Sequence, residues 1–121
     1  VTATMHIGEL ADRSELSLRT IRHYDEIGLL KPSARSDGGY RLYTERDFER
    51  LMLIRRMKPL GFALEEMGEL LAATDALEAD PADGAARARV DAFLAEAVER
   101  RAKLERQLAA ADEFIARLSA R

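Results

Sequence analysis

Apolar residues recur at helical spacing through most of this chain, and residues that form turns interrupt them at short intervals. Over residues 7–12, Ile7, Leu10 and Ala11 share one face of a short helix. Ser14-Glu15-Leu16 reads as a tight turn. Ser17 is then placed to cap a second helix over residues 18–27, because its hydroxyl can accept a free backbone N–H at the helix start. In that helix Leu18 and Ile21 point inward, Tyr24 is the next step along the same side, and Gly28 closes the element. Two short helices joined by so brief a turn predict a helix-turn-helix.

From Lys31 to Leu42 the pattern changes. Asp37-Gly38-Gly39 forms a turn core between short flanks rich in strand-forming types, which predicts a β-hairpin. Thr44-Glu45-Arg46-Asp47 resembles a capping box and opens a third helix with Phe48, Leu51, Ile54 and Met57 on its apolar stripe. Pro59 and Gly61 end that helix. A fourth helix over residues 64–73 is expected to bury Leu64, Met67 and Leu71. Pro81 and Gly84, among small and acidic residues, mark a hinge.

No breaker occurs from residue 85 to residue 118. Val90, Leu94, Ala97, Leu104, Leu108, Ala111, Ile115 and Leu118 follow the alternating four-and-three spacing of a coiled-coil seam, with Arg101 at one seam position. A helix of about 34 residues would extend ~50 Å with no domain of its own to lie on. It needs a partner. The expected organisation is a DNA-binding-sized unit over residues 1–73, a hinge over 74–85 and a dimerisation helix over 86–121.

Composition changes this picture at two points. Charged residues make up 34% of the 121, against 47% apolar, which suits a small core plus a long solvated helix. The formal net charge is −3, but it is unevenly distributed. Residues 13–58 carry eleven basic and seven acidic side chains, or +4, whereas residues 74–121 carry eight and ten, or −2. Phosphates sense the face that docks on them and not the total, so the first stretch is the candidate polyanion surface. The longest apolar runs are too short for a bilayer and no signal sequence opens the chain; a soluble, cytoplasmic protein is expected.

Three runs carry a family resemblance: Ile7-Gly8-Glu9-Leu10-Ala11; Ser17 through Leu30, which reads SLRTIRHYDEIGLL; and Gly39-Tyr40-Arg41-Leu42-Tyr43. Together with Leu60-Gly61-Phe62 and Leu64-Glu65-Glu66, they closely resemble the MerR family of bacterial transcription regulators over about residues 6–73. The resemblance implies a mainly α fold: a winged helix-turn-helix with a small hairpin wing, then a long helix that forms an antiparallel coiled coil in a homodimer. It also implies a pseudo-palindromic promoter operator in double-stranded DNA, which the dimer distorts, and RNA polymerase as a partner reached indirectly through that promoter. Three positions depart from the family pattern, one of them Pro59, which removes a helical N–H near the end of the third helix. Glu15 stands where the turn usually has Gly, and Ala63 stands where Ser or Thr commonly caps the fourth helix.

The second helix presents Arg19, Thr20 and His23 outward, with Arg22 on the flank. Arg can grip guanine O6 and N7 in a fork and the Thr methyl can meet a thymine methyl, so the N-terminal half suits a major groove. Arg22 and His23, farther along, suit phosphate. Ser17 lies at the start of the same surface. Tyr24 fits two roles, the edge of the core and a phosphate donor. In the wing, the resemblance implies that Arg41 reaches the DNA backbone or minor groove and that Tyr40 packs beside it or donates to phosphate; Arg35 on the opposite strand is a further candidate. Arg55, Arg56 and Lys58 are either the edge of a second wing or a solvated face.

Catalysis and cofactors are not expected. The chain has no Cys, and its two histidines, His6 and His23, are far apart in sequence, so no thiolate metal or redox sensor is available. No nucleophile–base set or phosphate loop stands out. With the sequence ending at Arg121, no ligand-sensing domain is expected beyond the coiled coil. Phe93 and Phe114 beside the seam either pack on the partner or flank a small apolar ligand. Two other classes share the early motifs: an architectural DNA-binding protein, against which the long helix argues, and a protein–protein adaptor, against which Arg19, Arg22 and Arg41 argue.

Overall fold

The computed structural model describes residues 3–121. Along the chain run β1 (Thr4–His6), α1 (Ile7–Ser14), α2 (Leu18–Glu26), β2 (Ala34–Arg35), β3 (Arg41–Thr44) and α3 (Glu45–Met57). A single 3₁₀ turn, Lys58–Leu60, leads to α4 (Leu64–Ala79) and α5 (Gly84–Ser119). The chain divides into two compact units, one ending at Leu71 and the other Ala72–Arg121.

In the first unit, α1, α2 and α3 contribute Leu10, Ile21, Leu51 and Ile54, all without exposed surface. Against them lies a three-stranded antiparallel sheet in the order β1-β3-β2. The hairpin of β2 and β3 was legible in the sequence; β1 was not. Three residues give no alternation to recognise, yet Met5 pairs with Tyr43 across the ladder and both are buried. Two inward assignments are corrected. Leu18 and Leu64 are 39% and 42% exposed, because each stands in the opening turn of its helix, short of the buried line formed by Ile21 with Tyr24 and by Met67 with Leu71.

The junction into α3 is held by one carboxylate. Asp47 is 2% exposed. Its Oδ2 accepts from the Thr44 amide at 2.9 Å and from the Ser33 hydroxyl at 2.6 Å, while its own amide donates to Thr44 Oγ1 at 3.2 Å. The expected capping box is present, and Ser33 adds a third bond that ties the segment before the wing to the helix after it. At α4 half of such a box survives without a hydroxyl: the Ala63 amide donates to Glu66 Oε1 at 2.9 Å.

The second unit departs from the expected boundaries. The hinge was placed at residues 74–85, but α4 continues through Ala79 and α5 already begins at Gly84. Residues 72–79 (AATDALEA) are mostly strong helix formers, and helical geometry is disfavoured only at Asp80, which precedes Pro81. Asp83 then caps α5, accepting from the Ala86 amide at 3.0 Å. At 36 residues α5 is about 54 Å long at 1.5 Å per residue. Among the described residues, no helix is long and apolar enough to cross a membrane.

Glu15, in the turn between α1 and α2, has φ 60° and ψ 25°, a left-handed conformation that side chains with a Cβ adopt at a penalty. Its carboxylate receives Arg55 Nη2 at 2.8 Å, but both side chains are solvent-exposed and such a pair contributes little. Replacing Glu15 with Gly should therefore stabilise the protein by about 0.5–1 kcal/mol, the relief of the left-handed backbone exceeding the added freedom of the unfolded chain. Urea unfolding at a fixed protein concentration checks it; a lower midpoint would mean that the Arg55 pair outweighs the backbone.

Candidate nucleic-acid interface

The helix-turn-helix is built by α1, the left-handed turn at Glu15 and α2. Ser17 caps α2 as expected: its Oγ accepts from the Thr20 amide at 3.1 Å and donates to Thr20 Oγ1 at 2.9 Å. Beyond the cap, Ile21 and Tyr24 turn inward and are 0% and 3% exposed. Arg19, Arg22 and His23 are thereby held on the exposed side, with Thr20 half-buried beside them. Tyr24 thus takes the first of its two expected roles. Its ring belongs to the core, burial pushes its phenol above the ordinary pKa, and it meets the surface only at an edge.

That exposed side forms one wall of a groove of about 890 Å³. Arg19, Arg22 and His23 line it from α2, and Lys58 lines it from the 3₁₀ turn after α3. Phe62, Leu64 and Met67 supply apolar surface from the start of α4. Lys58, which from sequence was either a second-wing edge or a solvated residue, stands with the cations of α2. Arg55, its expected companion, is tied to Glu15.

Ion pairing sorts the cations of this unit. Arg13 meets Glu45 at 2.7 Å and stacks 4.1 Å over the Phe48 ring. Arg41 Nε donates to Asp25 Oδ2 at 2.7 Å, and Arg35 Nη2 approaches the same oxygen at 3.5 Å. Among the described residues, the side chains of Arg19, Arg22 and Lys58 have no ion-pair partner. All three line the groove. Glu26 also lines the groove, but none of the three cations is paired with it, so the surface suits a polyanion.

The wing residues are divided. Tyr40, at the hairpin tip, is 69% exposed, and Gly39 beside it adopts the left-handed φ of 82° that the turn requires. Arg35 is half exposed, and its Nη1 donates to the Gly39 carbonyl at 3.1 Å. Arg41, assigned to DNA by resemblance, is only 25% exposed and is held against α2.

In the second unit, the seam residues Leu94, Leu104, Leu108, Ile115 and Leu118 are 47–64% exposed on α5 and Ala111 is exposed, while Val90 and Ala97 are half-buried. Val98 and Phe114, at 60% and 65%, widen the same apolar surface; Val98 escaped the strict seam pattern because it sits one position beside Ala97. Arg101 at its seam position pairs with Glu105 one turn on.

The family model described as MerR HTH family regulatory protein matches residues 5–74, and the one described as MerR, DNA binding matches residues 48–120. An uncharacterized HTH-type transcriptional regulator of Pseudomonas aeruginosa is 51% identical over 67 residues, covering 55% of this chain and 51% of that protein. The chain spans about half the length of that relative. Heavy metal-dependent transcription regulator 2 of Rhizobium meliloti is 39% identical over 111 residues, 91% of this chain and 69% of its own. Among solved structures, HiNmlR, a MerR family regulator lacking the sensor domain, bound to promoter DNA, superposes with a TM-score of 0.72 at 26% identity, covering 94% of this chain and 89% of that one.

The geometry at Ser17 separates capping from contact. Ser17→Ala should lower stability by about 1 kcal/mol in urea unfolding, and Ser17→Asp, an equally good cap, should restore it. A variant Ser17→Ala as stable as the parent would remove the capping role and leave the hydroxyl to the groove.

Proposed function

Because this chain belongs to the MerR family of helix-turn-helix regulatory proteins, we propose that it acts as a homodimer on a pseudo-palindromic promoter operator. The family is one of DNA-binding transcription regulators and not of enzymes. The observation that carries the reading is the groove lined by Arg19, Arg22 and Lys58, cations with no ion-pair partner among the described residues. Arg19, in the first turn of α2, addresses base edges in the major groove; Arg22, His23 and Lys58 address phosphates. The protein works in the cytoplasm, where bacterial promoter DNA lies.

The dimer follows from α5. Five large seam residues about half exposed or more along one helix present an apolar stripe that water disfavours, and its four-and-three spacing matches a second copy of the same helix. Two copies place two recognition helices on one duplex. Bending or untwisting that duplex costs ~1–6 kcal/mol, which contacts to two half-sites can offset. RNA polymerase is then engaged through the altered promoter. The heavy-metal dependence named for the Rhizobium meliloti relative has no thiolate counterpart here, since this chain contains no Cys.

Two measurements test this. Arg19→Ala should weaken binding to the duplex upstream of the chain's own gene by ~1–3 kcal/mol and leave random duplex nearly unaffected. Equal losses on both duplexes would restrict Arg19 to phosphate. Leu108→Asp should convert the dimer to a monomer in sedimentation and abolish tight operator binding, because the second half-site is lost. A variant that still sediments as a dimer would remove the seam from the interface.

A further inference from the structure

Asp25 occupies the last turn of α2, where an anion faces the negative end of the helix dipole, so the helix alone gives no reason for it. Its side chain is nevertheless only 11% exposed, and its Oδ2 receives Arg41 Nε at 2.7 Å and Arg35 Nη2 at 3.5 Å. Arg35 and Arg41 are direct partners across the β2–β3 ladder, where like charges oppose each other unfavourably. One carboxylate from the recognition helix thus neutralises two cations from the two strands of the wing. Arg35 extends the linkage to the hairpin turn through its bond to the Gly39 carbonyl. Arg41 is bound through Nε, and among the described residues no hydrogen bond engages the Nη groups of its planar fork.

We propose that Asp25 is a positioning residue for DNA binding: it touches no DNA, but clamps the wing to the recognition helix and aims the Nη groups of Arg41 at the phosphate backbone. The proposal rests on the operator-binding reading for its effect on affinity, though the clamp itself does not. The sign of the effect is diagnostic. Asp25→Asn removes a negative charge beside the interface, and simple electrostatics then predicts tighter binding with a steeper salt dependence. Loss of a positioning group predicts the reverse.

The test uses the full chain and the duplex upstream of its own gene. Asp25→Asn should weaken binding about tenfold and flatten the dependence of log affinity on log salt by about one unit, the slope that one phosphate contact supplies. Arg41→Ala should do the same, and the double variant should lose no more than either single one. Arg41→Lys keeps the charge but not the fork, and should reproduce the loss even if Asp25→Asn folds poorly. Binding by Asp25→Asn equal to or tighter than the parent, or additive losses in the double variant, would overturn the proposal. Amide exchange without DNA provides the second arm. The Ser36 and Gly39 amides, which close the wing turn on Tyr40 and Ser36, should exchange about tenfold faster in Asp25→Asn while α3 is unchanged. Unaltered exchange would overturn the clamp whether or not the parent binds the duplex, whereas faster exchange with a parent that fails to bind would sustain the clamp and count against the operator reading alone.

Discussion

A helix of nine residues is too short to persist alone in water, and α2, which presents Arg19, Arg22 and His23, has nine. Its existence depends on two buried side chains, Ile21 and Tyr24, and on the Ser17 cap. The same burial fixes its rotation. With Ile21 and Tyr24 turned into the core, 100° per residue leaves Arg19, Arg22 and His23 no other direction than outward. Recognition and stability are therefore two faces of one short element. Around it, the Asp47 carboxylate secures the start of α3 and the segment before the wing.

Charge in this unit is organised by subtraction. Several basic residues near the surface meet an acid: Arg13 meets Glu45, Arg55 meets Glu15, and Arg35 with Arg41 meet Asp25. These pairs join α1 to α3, the first turn to α3, and the wing to α2. Exposed pairs of this kind add little stability, but they hold geometry. Arg19, Arg22 and Lys58 have no such partner among the described residues and line one groove, where their field lines reinforce one another. A chain with net charge −3 can thus carry a site for a polyanion.

The long helix follows another rule. On the solvated faces of α5, ion pairs one turn apart, Arg87 with Asp91, Arg100 with Glu96 and Arg117 with Glu113, support the helix without any core. Most of its apolar seam is exposed in the single chain. Helicity is locally supported, and the proposed dimer accounts for so long a helix.

The locally coded features were open to reading in one dimension. Caps at Ser17 and Thr44, breaks at Gly28, Pro59 and Gly61, the turn at Asp37-Gly38-Gly39 and the seam of α5 all follow from side chains acting on backbone within four residues. The left-handed turn at Glu15 was signalled by the resemblance alone, in which that position usually holds Gly. Errors arose where the answer depends on a distant partner. β1 exists because Met5 finds Tyr43, and Leu18 and Leu64 are exposed because nothing comes to cover their opening turns. α4 runs beyond the expected hinge boundary for a local reason: good helix formers continue up to Asp80-Pro81. At the site, the sequence supplied a surplus of candidate cations. Whether Arg41 or Arg55 is free depends on an acid 16 or 40 residues away, and proximity of that kind is created only when the chain folds.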